Sequence, residues 1–173
     1  MTYSTQGIVL KKIVSGETDA MVIIYTADFG KLCCYAQGIK KEGAKLKGHL
    51  ESFSLGAIQF VLGSTNPRLT YAQVLESWPR IRNEFNRCAA AASMMELIDR
   101  YCLVGQHDAS IWELLMTNLV TLNHESALDI PDVMNEFEKD FVRCLGYGGA
   151  KDMNLWGESV HNHFPWYIME EMR

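Results

Sequence analysis

Residues 7–36 read GIVLKKIVSGETDAMVIIYTADFGKLCCYA, and this stretch decides the fold. Three runs rich in β-branched and apolar residues, Gly7–Ile13, Met21–Thr26 and Lys31–Ala36, are separated by two turn clusters, Ser15-Gly16-Glu17-Thr18-Asp19 and Asp28-Phe29-Gly30. Short runs bounded by Gly, Asp and Ser are strands, and the glycine-containing loop joins the second and third as a hairpin. Towards the C-terminus, Gly38–Gly48 is polar, lysine-rich and holds three glycines, so a long loop is expected. Ser54–Leu62 and Leu69–Leu75 form a further strand pair around Gly63-Ser64-Thr65-Asn66-Pro67. Five short strands at this spacing predict a small closed or partly closed barrel.

After Trp78-Pro79 the hydrophobic period changes from that of a strand to that of a helix. Ala91, Met94, Met95, Ile98, Tyr101 and Cys102 share one helical face. Ser110-Ile111-Trp112-Glu113 has the form of a capping box opening a second helix, which buries Ile111, Leu114, Leu115 and Leu119. A third helix begins near Pro131, carries Met134, Phe137, Phe141 and Leu145 as its apolar stripe, and stops at Gly146. Phe164–Met169 is a candidate fourth helix. The expected fold class is therefore β + α in two domains: an N-terminal five-stranded barrel over residues 1–80 and an α-helical bundle over residues 83–173.

The chain has 173 residues, 48% of them hydrophobic and 21% charged, with a formal net charge of -5. That length suits one domain or two small ones and needs no metal or disulfide staple. No apolar run reaches the ~18–20 residues of a membrane span, and the N-terminus lacks the pattern of a cleaved signal peptide. Five cysteines without a Cys-x-x-Cys pair point to neither a disulfide framework nor a zinc ribbon, so a reducing cytoplasm is expected. Charge is split along the chain: residues 1–82 hold ten Lys and Arg against six Asp and Glu, whereas the remainder holds six against fifteen. Such asymmetry is the mark of a chain with one half built to meet a polyanion. Lys31, Lys40, Lys41, Lys45 and Lys47 are opposed only by Glu42, although a solvated loop reads the same way.

Most catalytic patterns are absent. There is no Gly-x-Ser-x-Gly elbow, no phosphate loop and no His-Glu-x-x-His helix. Asp28-Phe29-Gly30 matches a kinase metal motif in three letters only, without the accompanying loops, and is a hairpin turn. His161 and His163 share one side of an extended segment, with Glu158 and Asp152 nearby. Two imidazoles without a clear third ligand read as surface residues, so no metal or other cofactor is expected. Cys88, Cys102 and Cys144 lie on or beside apolar helix faces, and Met94, Met95, Met116 and Met134 read as core filling.

The ordered segments carry a resemblance. Gly7-Ile8-Val9-Leu10, Gly16-Glu17-Thr18-Asp19, Gly30-Lys31, Gln37-Gly38-Ile39-Lys40-Lys41, Leu46-Lys47-Gly48 and Leu50-Glu51-Ser52-Phe53 follow one another as in the bacterial recombination mediators of the RecO family. The pattern continues at Glu113-Leu114-Leu115, Phe137-Glu138 and Cys144-Leu145-Gly146-Tyr147, and so covers about Tyr3 to Tyr147. The chain resembles a shortened member or a fragment of such a protein. The four-cysteine zinc segment of many members is missing, since residues 148–173 contain no cysteine.

The resemblance implies an OB-fold followed by a helical domain and a role without covalent chemistry. That role is to bind single- and double-stranded DNA, anneal complementary strands, and act with RecR to place RecA on strands covered by single-strand-binding protein. It also implies that the acidic tail of single-strand-binding protein docks on the helical domain, where Arg87 and Arg100 are the cations of the first helix, and that the protein works at the nucleoid. Lys40, Lys41, Lys45 and Lys47 then occupy the loop that meets DNA in the family. Lys11 and Lys12 extend its surface, and Arg68 is a phosphate contact. An OB barrel binds strands through a basic groove with aromatic faces for the bases, for which Tyr35 and Tyr71 are the stacking candidates. Phe53 and Phe60 are instead expected in the core. The competing reading is a protein-interaction module whose barrel does not bind DNA.

Overall fold

The computed structural model describes residues 1–147. Five strands, β1 (Thr2–Ser15), β2 (Asp19–Thr26), β3 (Gly30–Ala36), β4 (Leu55–Val61) and β5 (Arg68–Glu76), precede four helices, α1 (Pro79–Asn83), α2 (Phe85–Tyr101), α3 (Ala109–His124) and α4 (Ile130–Cys144). The strands close in the order β1-β2-β3-β5-β4. All neighbours are antiparallel except β3 and β5, which meet in parallel where Tyr35 lies opposite Arg68. This is an OB-fold barrel. Its long first strand serves two neighbours: residues 2–8 pair with β4, and residues 7–15 pair with β2 across a bulge between Val9 and Lys11. A bulge adds bend and twist, which lets one strand wrap round a small barrel.

Two compact units are present. The first comprises Met1–Ser77 together with Ile98–Ala109, and the second comprises Trp78–Leu97 and the residues from Ser110 onward. Inside the barrel, Val9, Val22, Ile24, Leu32, Cys34, Ile58, Phe60 and Leu69 form the core. Phe60 lies in this core as expected; Phe53 is buried as well, but outside that cluster. Apolar residues also cover the outer side of the first strands, where Ile8, Leu10, Ile23 and Tyr25 are buried. Within the same unit, the segment Ile98–Ala109 bonds to these strands. The Gly105 amide donates to the Lys31 carbonyl at 2.8 Å, Val104 bridges Lys31, and the Tyr25 hydroxyl donates to the Asp108 carbonyl at 3.3 Å. Gly30 makes this approach possible: it has φ 65°, and a Cβ there would overlap the Gln106 carbonyl and lie 2.9 Å from the His107 nitrogen. A left-handed backbone and a crowded neighbour together require glycine.

In the second unit, α4 has the strongest local signals. Asp129 caps it by accepting from the Asp132 amide at 3.3 Å, a proline occupies its first turn, and Gly146 follows it with φ 87°. Phe137 and Phe141 are buried and their rings lie parallel, 5.8 Å apart. Two expectations need correction. Helix α3 starts at Ala109, so Ser110 stands inside its first turn and not ahead of it. The short helix α1, led by Pro79, fills what the sequence presents only as a boundary. The candidate fourth helix at Phe164–Met169, and His161 and His163 with their carboxylates, lie outside the described residues. Among the described residues, no helix is long and apolar enough to cross a membrane.

Candidate nucleic-acid interface

The basic loop is rooted, not loose. Between β3 and β4, Ile39 and Leu50 are buried in the barrel core and Leu46 packs against it. The intervening backbone advances by three-residue turns, with the amides of Lys41, Ala44 and Lys47 donating to the carbonyls of Gly38, Lys41 and Ala44 at 3.0, 3.1 and 3.0 Å. Because the apolar residues point into the barrel, Lys40, Lys41, Lys45 and Lys47 are left exposed. Among the described residues none of the four forms an ion pair. Their charge is available to an outside anion.

A second feature adjoins the start of this loop. The Asp19 carboxylate, at the end of the β1–β2 turn, accepts from the Tyr35 hydroxyl, from the Gly38 amide at 2.6 Å and from the Thr18 hydroxyl at 2.9 Å. The Lys40 amide donates to the Thr18 carbonyl at 3.0 Å, which ties the loop to the turn. These bonds, led by the one from Tyr35, favour the ionised carboxylate and hold Asp19 below the ordinary carboxylate range. The same bond raises the Tyr35 phenol. Tyr35 thus has a fixed hydroxyl and a half-buried ring.

Tyr35 and Arg68 are neighbours across the single parallel contact that closes the barrel, and the Tyr35 amide donates to the Pro67 carbonyl at 2.7 Å. Together with residues 61–66 of β4 and the β4–β5 loop they line a groove of about 390 Å³. Arg68 is exposed and, among the described residues, has no ion-pair partner. The strand β2–β3 face and the loops flanking it are where OB-folds take oligonucleotides.

The remaining candidates lie apart. Lys11 is paired with Asp99, whose backbone carbonyl also accepts from the buried Lys31 ammonium at 2.5 Å. The charge of Lys11 is therefore spent inside the molecule, on the segment Ile98–Ala109. Lys12 is half-buried opposite Val22. Tyr71 stands exposed on β5 opposite Gln59, with its hydroxyl donating to the Gln73 side chain at 2.6 Å. In the second unit, Arg87 is buried, with its guanidinium donating to the Leu122 carbonyl at 2.6 Å and pairing with Glu84. It is a structural group and not a cation awaiting a ligand. Burial pushes the Cys34 thiol up to about 12 and raises Cys33 as well, so neither is an activated thiolate.

Sequence reasoning missed Asp19 as an organiser and Ser64, Thr65 and Asn66 as groove wall. Both segments read as turns in the sequence, and the first also carries part of the family resemblance. A carboxylate closing a Gly-Glu-Thr-Asp turn is the one signal that pointed to the first.

The barrel order, a rooted basic loop and a tyrosine-walled groove define an OB-fold protein. Comparison with known proteins narrows the class. Residues 1–78 match the family model described as Recombination protein O N terminal. The DNA repair protein RecO of Gloeothece citriformis is 30% identical over 118 residues, 68% of this chain and 42% of the relative. That of Syntrophus aciditrophicus is 27% identical over 87% of this chain and 58% of the relative. That of Synechocystis is 27% identical over 86% and 54% respectively. The chain belongs to the RecO family. It spans about half the length of these curated relatives.

Proposed function

We propose that this chain is the DNA-binding part of a recombination mediator that acts in DNA repair. Lys40, Lys41, Lys45 and Lys47 neutralise phosphates of single- or double-stranded DNA without reading sequence, since phosphate contacts position and do not specify. Tyr35 and Arg68 add a groove for the single strand. Screening of two phosphate backbones while bases stay free is the physical route to annealing. The RecO relatives are DNA repair proteins by name; the family resemblance extends the proposal, so that with RecR the protein delivers RecA to strands covered by single-strand-binding protein. Under this reading the helical unit takes that protein's acidic tail, and the whole works at the nucleoid, in the cytoplasm, without cofactor or covalent chemistry.

The observation that carries the proposal is the basic loop: four lysines held outward by buried Ile39 and Leu50, none of them paired among the described residues. Titration of labelled single-stranded DNA at several salt concentrations tests it. Binding that weakens steeply as salt rises is expected. Absence of salt-dependent binding would return the barrel to a protein-interaction role.

A further inference from the structure

We propose that Asp99 closes part of the barrel's own strand face to nucleic acid: its carboxylate holds Lys11 and Lys31 in the place a phosphate would take, and DNA is confined to the loop rim. The proposal rests on the reading of the barrel as DNA-binding, and adds to it which surface is withheld and by which residue. Register sets Tyr25 beside Lys31 in one row, Lys11 beside Ile23 in the next, and Met21 beside Tyr35 in a third. The core residues Val22 and Ile24 alternate with those of β2, so these rows lie on the outward side of the sheet. That side of β2 and β3 is the surface OB-folds ordinarily offer to an oligonucleotide. Here the first row is buried, the second is closed at Ile23, and only the third is partly open.

The cover belongs to the same unit and is fastened at several points. The Gly105 amide donates to the Lys31 carbonyl at 2.8 Å, the Tyr25 hydroxyl to the Asp108 carbonyl at 3.3 Å, and the His107 Nε2 to the Ala27 carbonyl at 2.6 Å. Asp99 gives this cover its sign. It stands in the last turn of α2, where carbonyls without helical partners form a partial negative pole. One of its carboxylate oxygens pairs with Lys11 and the other lies 3.5 Å from the Lys31 ammonium, which also donates to the Asp99 backbone carbonyl at 2.5 Å. A carboxylate between ammonium groups makes the charge-assisted contacts that a phosphate oxygen makes with lysines. It therefore excludes a phosphate twice, by neutralising Lys11 and by repelling an anion that nears the face. The side chain of Lys31 is only 10% exposed, against 24% for Lys11, so Lys11 is the cation that Asp99 withholds.

The test measures anisotropy of a labelled oligothymidylate strand with the full chain and its variants across a range of salt. Asp99→Asn keeps the size of the side chain and the backbone bonds but removes the charge. It should tighten binding and steepen the slope of log affinity against log salt by about 0.7, the share of one lysine returned to the strand. Adding Lys11→Ala to Asp99→Asn should restore the slope of the parent, a reversal that a purely structural role for Asp99 does not produce. If Asp99→Asn does not fold because Lys31 is left buried without its counter-charge, adding Lys31→Met removes the second buried charge and leaves the same Lys11 readout. Unchanged or weaker binding by the folded variant, or a gain that survives Lys11→Ala, overturns the role of Asp99 while leaving the DNA-binding reading in place. Failure of the unmodified chain to bind the strand overturns the underlying reading instead.

Discussion

Replacing Lys40, Lys41, Lys45 and Lys47 together with Ala should remove most of the salt-dependent DNA affinity without touching the fold. All four side chains are exposed, and the loop's hold on the barrel comes from Ile39, Leu46 and Leu50 together with backbone hydrogen bonds. Surface changes of this kind usually fall within about 0.5 kcal/mol of neutral, so thermal unfolding should hardly move. On single strands each phosphate contact contributes about 0.7 to the slope of log affinity against log salt. Four contacts therefore predict a slope shallower by roughly 3, and two contacts half that change. Lys11→Ala supplies the contrast. Because Lys11 is paired with Asp99, its removal should leave the slope unchanged. Fluorescence anisotropy across a range of salt concentrations reads both variants. A folded quadruple variant with unchanged slope would refute the assignment of the loop, and a Lys11 variant that lost slope would show that its ion pair opens to DNA.

Three further outcomes follow from the packing. Gly30→Ala should destabilise the chain by roughly 2–4 kcal/mol, combining a left-handed backbone with overpacking against Gln106; a denaturant midpoint close to that of the parent would contradict this. Arg87→Ala leaves the buried Leu122 carbonyl without its donor and should cost about 1.5–3 kcal/mol in chemical unfolding, with no change in DNA affinity; an unchanged unfolding curve would show Arg87 to be dispensable. Asp19 is depressed in the folded state by hydrogen bonds from Tyr35, Gly38 and Thr18, so its stabilisation is complete above the unfolded value of about 3.9 and disappears as pH falls through the folded value. The stability gap between the parent and Asp19→Asn should accordingly be widest near neutral pH and close in acid; a gap that stays constant down to strongly acidic pH would remove Asp19 from the network.

The barrel was legible because strand signals are local. Alternating β-branched runs, the Asp28-Phe29-Gly30 turn and the glycine-bounded loop gave five strands whose ends lie within a few residues of those observed, although β1 starts at Thr2 and not near Gly7. Helix α4 was equally plain, since proline, an amphipathic stripe and a terminal glycine act within a turn or two of themselves. The start of α3 was misplaced by two residues because Asp108 and Ser110 are both residue types suited to a cap, and choosing between them depends on the chain that precedes the helix. Nothing local marks Ile98–Ala109 as a companion of the barrel. Its bonds to Lys31 and Tyr25 join residues some seventy to eighty positions apart.

By itself the sequence determined the order of the five strands and of α2, α3 and α4, the charge split between the two halves and which loop holds the lysines, since each of these depends on neighbours along the chain. Only the tertiary structure decided which charges are available. It committed Lys11 to Asp99 and Arg87 to Glu84 and Leu122, left Arg68 unpaired among the described residues, and placed Tyr35 between Asp19 and Arg68. The reason is range: hydrophobic period and turn chemistry act over a few residues, whereas an ion pair or a groove wall depends on which distant segments the closed barrel brings within a few ångströms.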